Sequence, residues 1–509
     1  MRTWVNVASN WVIYVLNIGV AFYLSPFVVR MLGDSQFGAW SIIVSLTGYM
    51  GLVDLGTRSA VVKYAAEYWA KKDYGRLTSQ FYSSFLSLAL GGSALLIVAF
   101  AVRNHAAAWL HIGDPLRGLF AASIVPSALA VVFFIANGLI AGYIEGLGRY
   151  DISNLGGSIS LALRTSGIVF VLSRGGSLPG LAWVNALTAA ASCPVTFLLL
   201  RTIVPTLGFS ASSFSLESWL EVVRYGFFAF LNQVAARISQ ETGNIIVGFG
   251  VSTTATAYYA IGLSLAAYLR AFTASAAIVA IPLTSGMAAL KDMAGTWRVT
   301  LLGTRFAIGV ALCGLISFFI LGRGFLMLWL GERFAANTWP TCLVLLIALV
   351  FISAQQFSGA MLFGRGKAKF PALVMVTSAI ANVLLSILLV RKVGALGVAL
   401  GTLISAAVFE FGFVSCYYVP KELGTSRLSY LKQTWVGPLI CVFPCALSGL
   451  AARSLVELSS FPRLAQAGLF LLGGYFIPAW WICLEKQERA SIYSKVTSLV
   501  KRITATLTR

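Results

Sequence analysis

Asn6, Asn10, Tyr14 and Asn17 follow one another at steps of four, four and three residues in a stretch that is otherwise apolar. On a helix that spacing lines up a polar stripe on one face. Gln233, Arg237, Gln240, Glu241 and Asn244 repeat the pattern much later in the chain. Side chains of these types bind and release a polar ligand; they do not by themselves break covalent bonds. Arg164 and Arg270 also sit in apolar surroundings, and neither has an opposite charge within four residues on its own helix. Each therefore needs a partner from elsewhere, either an acid such as Glu410 or the anion of a ligand. A guanidinium keeps its charge and presents a fork of donors that matches phosphate, so a cavity holding Arg164, Arg237 and Arg270 favours anionic cargo. Arg237 with Glu241, and Asp54 with Arg58, are four apart and can equally neutralise one another.

Signals for catalysis are missing. The two histidines, His105 and His111, flank one loop without metal-ligand spacing, and there is no Walker A lysine loop, HExxH or GxSxG. The sequence calls for no metal and no cofactor. The seven cysteines lie in or beside apolar runs with no CxxC pair and read as small packing residues.

The elements that must position these residues are set by composition. Of 509 residues 58% are hydrophobic and 11% charged, more apolar surface than a water-soluble core can hide. Lipid cannot satisfy a peptide group, so each crossing needs roughly 20 apolar residues in a helix. Fourteen such spans are expected, near 10–31, 36–56, 79–102, 117–143, 151–173, 178–203, 222–249, 256–283, 300–321, 338–363, 370–390, 393–419, 434–455 and 464–484. The first is expected to stay in the mature protein, because its apolar stretch is too long for a signal peptide and three asparagines interrupt it. The expected fold is thus an all-α polytopic membrane protein with short connections, the longest near 57–78, 103–116 and 204–221.

With the N-terminus inside, Arg58, Lys63, Lys71, Lys72, Arg76, Arg365, Lys367, Lys369, Lys421, Arg427, Lys432 and the basic tail from Lys486 all face the cytoplasm. The positive-inside rule then predicts both termini cytoplasmic. The net charge of +20 is scattered over these connections instead of forming one basic face, which points to lipid headgroups and not to nucleic acid.

An internal repeat appears at an offset of roughly 217 to 219 residues. AWSIIVSL (Ala39 to Leu46) matches YYAIGLSL (Tyr258 to Leu265), and LGDS at Leu32 matches FGVS at Phe249. GLGRYD (Gly146 to Asp151) parallels GRGKAK (Gly364 to Lys369), and the GLA at Gly180 parallels the GVA at Gly397. Six spans separate the copies, so both keep the same orientation, as in transporters whose substrate site lies between two halves. The expected organisation is a first six-helix bundle over 1–210, a second over 211–425, and helices 13–14 with a cytoplasmic tail over 426–509. Each bundle opens with a polar-striped helix, and the two stripes are expected to face each other across a wet cavity.

The run SPFVVRMLGDSQFGAWSIIVSLTGYMGLVDLGTRSAVVKYAAE, Ser25 to Glu67, resembles the start of the polysaccharide-transport branch, the oligosaccharide-lipid or O-antigen flippases, of the multidrug/oligosaccharidyl-lipid/polysaccharide exporter superfamily. Pro26, Arg30, Leu32, Gly33, Phe37, Gly38, Trp40, Gly51, Leu52, Asp54, Leu55 and Gly56 fill the places of that family's opening pattern. The resemblance implies a bacterial inner-membrane flippase that moves undecaprenyl-diphosphate-linked oligosaccharide to the outer leaflet for O-antigen, capsule or exopolysaccharide synthesis. It implies membrane lipids as surroundings, a polysaccharide polymerase and chain-length proteins as partners, a cationic cavity, and a last helix pair that accommodates the lipid tail. One departure is that Gly243 and Asn244 stand where relatives often carry an acidic residue late in span 7. The substrate-facing candidates are Asn10, Asn17, Arg30, Arg58, Arg164, Gln233, Arg237 and Arg270, and the ion-coupling candidates are Asp54, Glu241 and Glu410. A cation-coupled drug antiporter of the same superfamily is the alternative; twelve spans and acidic cavity residues would mark it. A membrane glycosyltransferase or polymerase would show a large outward loop bearing a catalytic carboxylate, and none is found.

Overall fold

The computed structural model describes residues 2–110, 112–205, 214–278, 280–367, 369–455, 460–490, 493–494 and 497. His111 lies outside the described residues, as do 206–213 of the second inward connection and most of the basic tail. Among the described residues the regular structure is all helical, and twelve helices are long and apolar enough to cross a membrane. The first of these candidates, Ser9–Asp54, is 46 residues long, twice what one crossing needs.

Cα packing groups the chain into two compact units: Met1–Ala260 with Ser386–Val398, and Ile261–Leu385 with Ala399–Arg509. The first unit is built on α1 (Arg2–Met50), α2 (Thr57–Lys71), α3 (Tyr74–Trp109), α4 (Leu116–Gly146), α5 (Tyr150–Ser173), α6 (Leu178–Arg201) and α7 (Leu216–Gly250), with the first turns of α8 (Thr253–Ile278). The second holds the rest of α8, then α9 (Ala280–Ala289), α10 (Met293–Leu330), α11 (Glu332–Gly364), most of α12 (Lys369–Val393) and of α13 (Ala395–Ser405), α14 (Val419–Glu422), α15 (Arg427–Leu455) and α16 (Phe461–Ile482). Packing thus keeps α7, which opens the second copy of the sequence repeat, with the first unit.

Two expectations about connections are corrected. Between the first two expected spans, 10–31 and 36–56, there is no separate loop but the single residue Gly33: α1 runs through it, bent where φ is 75° and ψ 163°, a conformation nearly closed to any residue with a Cβ. The inward segment 57–78 is not a loop but α2 and the start of α3. Its helices form because Lys72 ends α2 in the left-handed region and the Asp73 carboxylate accepts the Arg76 backbone N–H at 3.0 Å, capping α3. The same device returns at the repeat spacing, where Lys291 has φ 55° and Asp292 accepts the Gly295 N–H at 2.8 Å. Gly148 and Gly366 also match, at φ 74° and 73°, each ending a helix with the same pair of backbone hydrogen bonds. The repeat inferred from scattered identities is therefore a repeat of turns.

In the first unit one core joins Ile42, Ile43, Phe120, Leu172 and Leu178, and a second joins Leu77, Phe81, Leu139 and Tyr143. In the second unit Met361, Leu362, Val414 and Tyr430 pack together. Large apolar side chains such as Tyr23, Ile97, Leu388 and Phe443 stay exposed, as a surface solvated by hydrocarbon allows. Span 12 departs from α geometry: Ala406–Tyr418 is a 13-residue π-helix, a form that is rare and concentrates at functional sites.

Candidate functional site

In the first unit α7 lies against the second arm of α1. The start of α8 joins the same seam, and Gly38 lets it come close, because a Cβ built there would fall 1.6 Å from the Thr253 carbonyl oxygen. Along the seam the Tyr258 hydroxyl donates to Asp34 at 2.8 Å, Ser35 and Thr253 share a hydrogen bond at 3.0 Å, and Asn244 Nδ2 donates to Ser45 Oγ at 2.9 Å. Tyr49 bonds Thr242, and Gln233 reaches the Asp54 carboxylate, which also accepts from Thr57. Asn244 is buried and its Oδ1 is left without a partner among the described residues.

The hydrogen bonds of Asn6, Asn10 and Asn17 described here do not reach the second stripe. Asn6 Nδ2 donates to the Gly148 carbonyl at 3.0 Å, and Asn154 Nδ2 donates to Asn10 Oδ1 at 2.6 Å, so the first stripe grips the start of α5. Asn17 bonds the Ile13 carbonyl of its own helix and stays exposed. The second stripe turns to α1: beside the Asn244 and Gln233 contacts, Glu241 sits where a Cβ on Gly48 would meet it. Helical periodicity shows which residues share a face but not which neighbour that face meets.

Arg237 and Glu241 form the ion pair that their spacing allows, at 3.1 Å, with side chains 40% and 17% exposed. Arg58 bonds the Asp54 carboxylate through its backbone N–H and its charge acts on it, but its guanidinium goes elsewhere. Arg58 reaches Glu145 of α4 at 2.8 Å, and Glu145 is steadied by a hydrogen bond from Ser153. Sequence reasoning missed Glu145, which lies just before the GLGRYD turn and four residues from the nearest basic residue in the chain. Arg30 is exposed near the end of the first arm of α1. Arg164, half-buried on α5, keeps its Nε without a hydrogen-bond partner among the described residues.

In the second unit Arg270 is the charge that faces Glu410, the acid named for it from sequence, and Ser378 donates to Glu410 at 3.5 Å. Glu410 lies inside the π-helical run. A cleft of 520 Å³ opens between α10, α11 and α16, lined by Leu302, Phe306, Phe357, Phe476, Ala479 and Trp480 among others. Arg305 stands at its edge; its guanidinium donates to the Gln433 carbonyl at 2.7 Å and the Cys483 carbonyl at 2.9 Å. Both acceptors are neutral, so neither cancels the charge.

The basic connections carry ordinary surface electrostatics. Glu67 is held below the usual carboxylate range by its hydrogen bond to Lys71. The Tyr68 phenol, partly desolvated and bonded to Glu221, is pushed up to about 12 and stays protonated.

Comparison with known proteins places this geometry. The family model described as "Polysaccharide biosynthesis protein" matches residues 3–288. The chain is 21% identical over 513 residues to "Uncharacterized membrane protein EpsK" of Bacillus subtilis (strain 168), covering 97% of this chain and 98% of that protein. It is 22% identical over 382 residues to "Putative O-antigen transporter" of Shigella flexneri, covering 74% and 88%. Among solved structures, lipid II flippase MurJ in an inward closed conformation superposes with a TM-score of 0.71 at 13% identity, over 93% of this chain and 97% of that one. An inward-facing multidrug resistance MATE family transporter of the MOP superfamily gives 0.67 at 14% identity, over 83% and 96%. These likenesses show a shared fold.

Proposed function

We propose that this chain, which belongs to the polysaccharide biosynthesis protein family, is a flippase that carries undecaprenyl-diphosphate-linked oligosaccharide from the inner to the outer leaflet by alternating access. The observation that carries the reading is Arg164: a guanidinium nitrogen buried within a span and left unbonded among the described residues. A charge at that depth is costly unless an anion or water satisfies it, and a diphosphate supplies both the charge and the acceptors. Arg237, still 40% exposed beside Glu241, is a second donor. The apolar cleft over α10 and α16 suits the polyprenyl tail, with Arg305 at its edge toward a headgroup.

The basic turns, including Lys71, Lys72, Arg149, Arg365 and Lys367, favour a bacterial inner membrane with these connections and both termini in the cytoplasm. A polymerase and chain-length proteins would then consume the product on the far side. Cation antiport fits less well, because Glu241 and Glu410 each face an arginine. No step of the proposed cycle breaks a covalent bond.

The test is leaflet-resolved mass spectrometry of lipid-linked sugars in a strain lacking the protein. Complete repeat units should accumulate on the cytoplasmic side, and Arg164→Gln, inserted at normal levels, should fail to clear them. Complete units already outside would overturn the reading.

A further inference from the structure

Arg58 opens α2, and its stem runs over α4, where Gly142 makes room for it. A Cβ built on Gly142 would fall 3.2 Å from Arg58 Cγ, and one on Gly138 would fall 3.9 Å from its Cδ. Gly146 brings the next turn of α2 in close, since a Cβ there would fall 2.7 Å from the Val62 carbonyl oxygen. The three glycines recur every four residues and so share the face of α4 that α2 meets. At the far end of the stem both Glu145 oxygens take the same nitrogen, Arg58 Nη2, at 2.8 and 3.1 Å. The carboxylate is itself held: Ser153 Oγ, in the first turn of α5, donates to Glu145 Oε1 at 3.0 Å. The root is fixed as well, because the Asp54 carboxylate accepts the Arg58 backbone N–H.

A pair built only to brace two helices would bury both partners and engage two nitrogens of the guanidinium side by side, the forked geometry such pairs favour. Here burial is one-sided, with the Arg58 side chain 52% exposed and Glu145 17%. The hold is also one-ended, since Nε and Nη1 are left without a partner among the described residues. Stem, root and one nitrogen are therefore placed by the protein, and the other donors stay free on a side chain that is half in the open. An anion arriving there meets a cation already aimed and does not have to order a flexible arm. It also meets a weakened field, because the fixed carboxylate beside Nη2 offsets part of the charge. A carrier must let its cargo go, and tighter holding of the bound state lowers KM without raising kcat.

We propose that Glu145 is a positioning residue for the carried diphosphate: it aims Arg58 at one phosphate and weakens that grip enough for release. The assignment rests on the flippase reading above. Glu145 acts through the guanidinium and does not itself touch the cargo.

The test needs binding and transport read separately. Full-length protein in detergent is titrated calorimetrically with farnesyl diphosphate, and the same variants in proteoliposomes are assayed by external quenching for flipping of a fluorescent polyprenyl-diphosphate oligosaccharide. In Glu145→Gln the amide oxygen still accepts from Nη2 and its NH2 group donates to Ser153, so the aim survives and the charge is lost. Binding should tighten roughly threefold while the maximal flipping rate falls by a similar factor. Ser153→Ala keeps the charge and loosens the hold, so KM should rise about two- to threefold with kcat unchanged; its opposite sign also supplies a second variant if Glu145→Gln inserts poorly. In an Arg58→Gln background Glu145→Gln should have no further effect. Glu67→Gln, which removes an exposed carboxylate paired with Lys71 on α2, should bind and flip like wild type. Variants at Glu145 and Ser153 that shift the melting temperature alone would make Glu145 a helix brace and overturn the assignment, with wild-type flipping leaving the flippase reading in place. Tightening that persists without Arg58 would overturn it too. Failure of wild-type protein to flip the probe overturns the flippase reading, and the assignment with it.

Discussion

Removing Glu241 should expose what Arg237 is for. In Glu241→Gln the carboxylate 3.1 Å from the guanidinium is gone, and a cation remains within the span. Breaking a fully enclosed pair in this way costs about 3–5 kcal/mol. The Arg237 side chain is 40% exposed, so water recovers part of that loss and we expect roughly 1–2 kcal/mol, about a five- to thirtyfold change in the folded-to-unfolded ratio. Arg237→Gln leaves a partly solvated carboxylate and should cost a similar amount. The double variant R237Q/E241Q removes both charges and should regain most of the stability, because two neutral amides can bond across the same gap. Transport should separate from stability: if the guanidinium engages a diphosphate, the double variant melts near wild type yet flips lipid-linked sugar at least tenfold more slowly. Thermal melting in detergent and the leaflet-resolved sugar assay together read the two effects. A double variant that melts and transports like wild type would refute the reasoning, since Arg237 would then serve only to neutralise Glu241.

Gly38→Ala should lower the melting temperature and the yield of inserted protein, because its Cβ would meet the Thr253 carbonyl, a backbone atom that cannot rotate aside; overpacking of this kind costs about 1–3 kcal/mol. Gly19→Ala, with nothing within 4 Å of the added carbon, should leave the melting temperature unchanged or slightly raised. Ala479→Trp should fill the cleft beside Phe306 and Phe476, slowing flipping of long polyprenyl substrates several-fold while short-chain analogues flip normally in the same vesicles.

The residues announced much of this in advance. Apolar length set where the spans run, and six-span spacing related the turns at Gly148 and Gly366 before their backbone angles were seen. Arg270 was left needing an acid, a ligand anion or water from elsewhere, and its charge acts on Glu410 of another helix. Other features were not legible, for reasons tied to particular residues. Asp54 and Arg58 satisfy the four-residue rule, yet Arg58 turns to Glu145 on another helix, and no pattern within one helix predicts that. The asparagines of α1 announce a face and not the helix it meets. The segment after Gly56 looked like a loop because its charges exclude it from lipid, but amphipathic sequence with good caps folds as a helix in water or at an interface equally well. The π-helical run around Glu410 has no compositional mark, since it differs from α-helix only in which carbonyl each amide finds.

Gly33 also bears on how the chain is made. Two membrane-length helices joined by a single bent residue leave no slack between them. As the chain emerges during synthesis, span 1 cannot settle across the bilayer and wait for a tether to lengthen; span 2 must follow it at once. The two arms are thus delivered together, and their register is fixed at insertion.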